Sequence, residues 1–224
     1  MIKKVVMIGG TGLLGESIKK LDDNIICFGS KKDIFGFEEL EFELNKIKPK
    51  IIINAAVIKT EKNKEKLIDV NIIGSSNVAK YCIKNNIRLI YISTDYVYSG
   101  KRGNYKETDE LYPHNLYAWT KLAGECSTRL VNNHLIIRTS FGSDIFPYKY
   151  AYDNLYISKD YVDIISKMIL DVIDVNYVGV LNIGTKKKSM FEYANKRDKV
   201  KKTSLKNKLD FSFNTKLYEK IISK

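Results

Sequence analysis

Short apolar runs alternate with longer amphipathic stretches along this chain. The runs are Val5–Ile8, Ile25–Phe28, Ile51–Ile53, Leu89–Ile92, Leu135–Ile137 and Val180–Ile183. They are rich in Ile and Val and, Asn182 apart, free of polar interruption, which suits strands buried on both faces. Between them the spacing predicts helices near residues 13–20, 37–47, 65–84, 115–131, 158–173 and 189–196. Strand–helix alternation implies βαβ units, and so an α/β fold with a doubly wound parallel sheet of Rossmann type. No internal repeat and no long Pro/Gly linker marks a domain boundary. The pattern weakens after Phe141: residues 141–154 are irregular and aromatic, and periodicity is weak after Lys196. The expected layout is a Rossmann core over 1–142. Residues 143–224 follow with the remaining core elements, a small, reduced C-terminal lobe and a Lys-rich tail, all in one compact unit.

Composition narrows the classes. With 224 residues, 44% of them hydrophobic, the chain can build a real core. No apolar run reaches the roughly 18 residues of a membrane span. Met1–Ile8 places basic residues before an apolar run, as a signal peptide does, but the run is short and ends in a Gly-rich turn. It reads as a first strand, so the expectation is a cytoplasmic protein with no membrane partner. Cys27, Cys82 and Cys126 have no paired spacing, and His114 and His134 have no ligand cluster beside them. No metal site is expected, and a disulfide frame or a Cys/His nucleophile is disfavoured. The net charge of +12 raises a nucleic-acid reading, but +7 of it falls in residues 196–224. That stretch has little aromatic interleaving and reads as a solvated tail, so no nucleic-acid partner is expected.

Gly9-Gly10-Thr11-Gly12-Leu13-Leu14-Gly15 follows the first strand and opens the first helix. Glycines there allow a tight turn and let a pyrophosphate approach the backbone, where the helix N-terminus supplies N–H groups. At this junction of an alternating chain the fingerprint points to a dinucleotide cofactor. After the second strand the chain reads Gly29-Ser30-Lys31-Lys32-Asp33. No acid stands at the strand end to bind ribose hydroxyls, while a hydroxyl and two lysines could hold a 2′-phosphate. NADP is therefore favoured, with NAD as the alternative.

Tyr117 and Lys121 are four residues apart, on one face of a predicted helix. A nearby ammonium favours the phenolate, so this Tyr is tuned for proton transfer near neutral pH. Ser93-Thr94-Asp95-Tyr96 follows the fourth strand, where residues face the ligand crevice of a doubly wound sheet. Thr94 is thereby a candidate to bond the oxygen that Tyr117 protonates. Asn71 has two readings, support for a relay water or a pin between helices.

Together, the glycine turn, Asn54-Ala55-Ala56, Ser93–Val97 and Tyr117-x-x-x-Lys121 resemble an extended short-chain dehydrogenase/reductase. Tyr105–Asp109, Pro113–Tyr117, Thr120–Glu125 and Arg138–Ser140 narrow the likeness to the dTDP-4-dehydrorhamnose reductase family, over residues 1 to about 142. The resemblance implies a catalytic triad of Thr94, Tyr117 and Lys121. Tyr117 donates the proton, Lys121 depresses its pKa and bonds the nicotinamide ribose, and Thr94 orients the substrate. It also implies Gly9, Thr11, Gly12, Leu13 and Leu14 at the pyrophosphate, with Asp33 and Ile34 by the adenine. Ala55, Ala56 and Val57 would line the cofactor channel, and Asp95, Tyr96, Asn115 and Ser140 would lie near a nucleotide-sugar substrate. The implied reaction is NAD(P)H-dependent reduction of a nucleotide-linked 4-keto-6-deoxy sugar. A sugar-nucleotide epimerase or dehydratase, and a non-catalytic nucleotide-binding regulatory subunit, are the alternatives. A homodimer stays open as the assembly.

Overall fold

The computed structural model describes residues 4–29, 36–59 and 63–223. Its elements, in chain order, begin with β1 (Val5–Ile8), α1 (Leu13–Leu21), β2 (Ile26–Phe28), α2 (Phe37–Ile47) and β3 (Ile51–Asn54). Next come α3 (Lys64–Leu67), a π-helical turn (Ile68–Gly74), α4 (Ser75–Asn85), β4 (Arg88–Thr94) and α5 (Leu116–Thr128). The chain continues through β5 (His134–Thr139), β6 (Phe141–Gly142), β7 (Tyr150–Tyr152), β8 (Leu155–Ile157), β9 (Asp160–Tyr161) and α6 (Val162–Leu170). It ends with β10 (Gly179–Ile183), β11 (Lys188–Ser189), α7 (Met190–Ala194), β12 (Lys201–Thr203), β13 (Leu209–Asp210) and α8 (Lys216–Ile222).

All six predicted strands form and join one parallel sheet, in the order β10-β5-β4-β3-β1-β2. Every residue of β3 and β4 is buried, as expected of strands covered on both faces. The order reverses at β1, so the carboxyl ends of β1 and β3 flank the switch point where such sheets bind ligands.

The chain folds as two compact units whose segments interleave, rather than meeting at residue 142. The first holds Met1–Ser93, Asn115–Ile137 and Asn176–Val180. Its core sets Val6, Ile8 and Phe28 from the sheet against Leu40 and Leu44 of α2 and Val78 and Cys82 of α4. Each such aliphatic side chain, fully buried, contributes roughly 1.5–3 kcal/mol. The continuous helix expected over 65–84 is broken by the π-helical turn. There Asn71 accepts from Ile58 N–H at 2.9 Å, and its amide donates to Ile58 O at 2.9 Å and Thr120 Oγ1 at 2.8 Å. With all three bonds made within the protein, the pinning role is the one observed.

The second unit holds Thr94–His114, Arg138–Val175 and Leu181–Lys224. Short strands build it: β11-β8-β13, β12-β7 and β6-β9. The helix expected from 158 starts later, because Asp160–Tyr161 pairs with β6 as a strand. The solvated-tail expectation is overturned. β12 pairs with β7, β13 pairs with β8, and Phe211, Phe213 and Tyr218 are buried. Gly100 shows how tightly this segment is held: at φ +72°, a Cβ there would lie 2.3 Å from the Phe211 ring. Arg138, wholly buried, donates to Tyr98 Oη at 2.9 Å and Glu107 O at 3.3 Å. Tyr98 Oη in turn donates to Asn182 Oδ1 at 2.9 Å, so a buried polar network fixes the segment after β4.

Candidate functional site

Within the first unit the glycine turn joins β1 to α1. Gly9 has φ +84°, and a Cβ on it would lie 2.6 Å from Ala56 N and 2.7 Å from Ala55 C, so only glycine fits. That close approach brings the turn onto Ala55 and Ala56, which are half-buried just past β3. Asn54 shapes this end, accepting from Ala56 N–H at 3.2 Å and donating to Ser75 Oγ at 3.4 Å. Thr11, Gly12 and Leu13 are exposed, whereas the Leu14 side chain is core. Gly12 caps α1 without a side chain, so the first-turn amides are left to solvent or a ligand. An uncapped helix start at the switch point, behind an exposed turn, fits a pyrophosphate. Ser30, Lys31, Asp33 and Ile34 lie outside the described residues.

Helix α5 carries Tyr117 and Lys121 one turn apart. Asn115, expected near substrate, is the N-cap of this helix and accepts from Ala118 N–H at 2.8 Å. Thr120 Oγ1 donates to Tyr117 O at 2.8 Å while accepting from Asn71, so the π-helical turn, through Thr120, braces the backbone at Tyr117. Tyr117 is half-buried and Lys121 buried, its ammonium 4.0 Å from the centre of the Tyr91 ring. Tyr91 Oη donates to Lys121 O at 3.3 Å. Burial pushes the Lys121 ammonium down to about 7; Glu125 acts against that shift and Lys59 adds to it. Tyr91 and Lys59 escape sequence reasoning. A Tyr inside an apolar strand run is the only signal for the first.

In the second unit, Thr94 closes β4. Its hydroxyl donates to Asp95 Oδ1 at 3.1 Å and accepts from Tyr96 N–H at 3.3 Å. Asp95 is buried, and its Oδ2 has no well-formed hydrogen bond among the described residues. Burial pushes this carboxyl up to about 6, with the Lys159 cation, Thr94 and Ser140 pulling the other way. Tyr96 packs its ring against His114 and Phe211, with centroids at 5.8 and 5.1 Å. Burial raises the Tyr96 phenol well above its usual range. Thr94, Asp95 and Ser140 thus form one hydrogen-bonding group. By contrast Tyr148, Tyr150 and Tyr152, in the aromatic stretch after Phe141, are exposed on or before β7. Among the described residues no group of His, Cys, Asp and Glu is arranged to hold a metal, and no helix is long and apolar enough to cross a membrane.

Comparisons with known proteins fit this geometry. The dTDP-4-dehydrorhamnose reductase of Aggregatibacter actinomycetemcomitans is 33% identical over 150 residues, 62% of this chain and 51% of that protein. Methionine adenosyltransferase 2 subunit beta of Bos taurus is 31% identical over 139 residues, 55% of this chain and 42% of its own. The chain thus spans about half the length of the curated relatives it matches. Among solved structures, the dTDP-4-dehydrorhamnose reductase of Bacillus anthracis in complex with NADP superposes with a TM-score of 0.87 at 26% identity. That match covers 98% of this chain and 91% of the other. A hypothetical dTDP-4-dehydrorhamnose reductase from Sulfolobus tokodaii gives 0.85 at 26% identity, covering 97% and 94%. The RmlD substrate binding domain family matches residues 3–145, the span holding the glycine turn, Thr94 and the Tyr117–Lys121 pair. The chain belongs to the RmlD substrate-binding domain family.

Proposed function

We propose that this protein reduces the keto group of a nucleotide-linked 4-keto-6-deoxy sugar, using NADPH in preference to NADH. The observation that carries the reading is Tyr117 and Lys121 on a braced helix, in a chain whose glycine turn sits at the sheet's switch point. The NADP-bound relative supports the choice of cofactor.

A bound reduced nicotinamide supplies the hydride. Tyr117 gives its phenolic proton to the developing alkoxide. Lys121 stabilises the phenolate left behind and bonds the nicotinamide ribose, while the Thr94 hydroxyl orients the substrate oxygen. Backbone amides of Gly9, Thr11, Gly12, Leu13 and Leu14 hold the pyrophosphate, and Ala55, Ala56 and Val57 line the cofactor channel. Ser30, Lys31, Asp33 and Ile34 take the adenosine end. Asp95, Tyr96 and Ser140 face the sugar. Asn115, occupied as a helix cap through Oδ1, has its amide nitrogen to offer.

Tyr117→Phe tests this directly. Turnover should fall by about 10²-fold or more, the usual worth of a general acid, with NADPH binding nearly unchanged. Full activity in that variant overturns the assignment. Equilibrium titration with both cofactors tests the preference, and a clear advantage for NADH reverses it. Net consumption of NADPH with a keto-sugar separates reduction from epimerase or dehydratase chemistry, which regenerates its cofactor in each cycle. A second reading, a nucleotide-binding regulatory subunit, draws on the relative named as a subunit of methionine adenosyltransferase. Firm cofactor binding without turnover on a panel of nucleotide keto-sugars favours it.

A further inference from the structure

Helix α5 shows solvent no charge. Its charged residues are Lys121 and Glu125, and both are buried. Leu116, Trp119 and Cys126 are exposed, while Leu122, Ala123 and Ser127 are half-buried. Leu116, Trp119, Ala123 and Cys126 recur at three- and four-residue steps, which sets them on one outward stripe. Every other α-helix exposes at least one charged side chain among the described residues. Glu16 on α1, Glu38 on α2, Lys80 on α4, Lys167 on α6 and Lys216 on α8 are examples. In a chain of which 29% is charged, a bare helix face is the exception.

The face extends beyond α5. The π-helical turn is tied to the helix by the Asn71–Thr120 bond of 2.8 Å. Ile68 and Ile73, on either side of Asn71 in sequence, are exposed, and Trp119, the single tryptophan of the chain, is 54% exposed. Charge returns at the margin, with Asp69 on the turn and Lys80 on α4, one of each sign. An apolar centre with an aromatic anchor and a polar rim is the anatomy of a protein–protein contact.

We infer that this face seats a second copy of the chain, α5 against α5 about a two-fold axis. Charge decides the occupant. The net charge is +12, so two copies repel when they meet through lysine-rich surface. Across α5 they meet with no like charges opposed at the centre, and the rim offers both signs. A strongly acidic partner would be read by exposed lysines, and α5 has none. In a two-fold contact each patch is its own complement. With 13 residues α5 is about 20 Å long, so the patch falls short of the about 800 Å² per partner of a standard interface. The dimer is therefore a reversible one of micromolar affinity. The inference is independent of the reaction proposed for Tyr117 and Lys121, although the same helix carries both.

Fluorescence and mass test it on the intact chain. Because Trp119 is the single tryptophan, the protein's indole emission reports on this face alone. It should shift to the blue as concentration rises through the micromolar range, in step with a doubling of mass in sedimentation equilibrium. Trp119→Glu puts a charge at the centre of the face on both copies. It should weaken dimerisation by about 10²-fold or more, as expected when an anchoring aromatic is lost from each side. Phe42→Glu, at an exposed position on α2, should leave the dimer unchanged. Should Trp119→Glu not fold, Cys126→Lys on the same stripe takes its place and should also give monomer. A wild type of monomeric mass at every concentration overturns the inference, whether or not it binds some other protein. So does a dimer that Trp119→Glu or its substitute leaves intact, or one that Phe42→Glu disrupts.

Discussion

Each unit of this protein buries a charge, and the two solve the problem differently. In the first, Lys121 is inaccessible but has Glu125 four residues away and an aromatic ring beneath it. In the second, Asp95 is equally inaccessible, takes one hydrogen bond from Thr94, and leaves Oδ2 without a well-formed partner among the described residues. Both are pushed toward their neutral forms, Lys121 down to about 7 and Asp95 up to about 6. The first sets a ring and an acidic side chain around a group whose charge the proposed chemistry uses. The second leaves a carboxyl poised to gain a proton just below neutral pH, beside the Thr94 hydroxyl assigned to the substrate.

The difference is broken most severely by Lys121→Met. At pH 6 the wild type carries a buried cation that its surroundings disfavour, so the uncharged variant should gain stability by about 3–5 kcal/mol, at most about 1.36 kcal/mol for each pH unit between the folded and unfolded titrations, and the gain should shrink as pH rises. The sign of the wild-type dependence is the reverse of that for a lysine whose pKa is raised by a partner. A lysine whose folded pKa is lowered binds fewer protons than in the unfolded chain between about 7 and its ordinary value of 10.5. Stability owed to this group therefore rises with pH across that window. Urea denaturation of wild type and Lys121→Met checks both points. A variant less stable than wild type at pH 6, or a difference that does not change with pH, would show that the charged lysine is well accommodated.

Asp95→Asn should act in the opposite direction. A carboxyl whose folded pKa is raised binds more protons than the unfolded chain between its ordinary value of 3.8 and about 6. Its contribution to stability is thus lost as pH rises through that window and stays lost above it. Asparagine keeps the Oδ1 acceptor for Thr94 and cannot ionise. Melting at pH 8 should show a gain of roughly 1–3 kcal/mol, since each pH unit between the folded and unfolded titrations is worth at most about 1.36 kcal/mol. The gain should shrink toward pH 4. A variant less stable at pH 8, or a gain independent of pH, would show that the ionised form is well accommodated.

How much of the molecule is legible in the sequence follows the same divide. The strands of the sheet, the glycine turn and the Tyr117–Lys121 register are readable because each rests on local rules: apolar runs, a backbone position only glycine fits, a four-residue helical repeat. The partners that tune them are not. Tyr91 and Lys59 meet Lys121 from β4 and from the segment after β3, and sequence spacing carries no record of that. Asn115 has a residue type equally suited to a helix cap and to a substrate, and the cap is what the structure displays. The C-terminal segment misleads for a related reason. Its strands are two or three residues long and pair with β7 and β8 about fifty residues upstream. Such short strands carry too little alternation to register, and the surrounding lysines mask the buried Phe211 and Phe213.

That segment gives the mildest way to sharpen the contrast between buried and exposed charge. If packing rather than charge orders residues 196–223, an exposed lysine there should be nearly silent. Lys206 is exposed between β12 and β13. Lys206→Gln should change stability by no more than about 0.5 kcal/mol, the range for surface substitutions. Phe211→Ala in the same segment should cost about 3–5 kcal/mol, as expected of a buried aromatic whose ring faces Gly100. Denaturation of the two variants side by side measures the ratio. A Lys206→Gln loss approaching that of Phe211→Ala would place the segment's order in its charges, and the Lys-rich composition would then be structural rather than incidental.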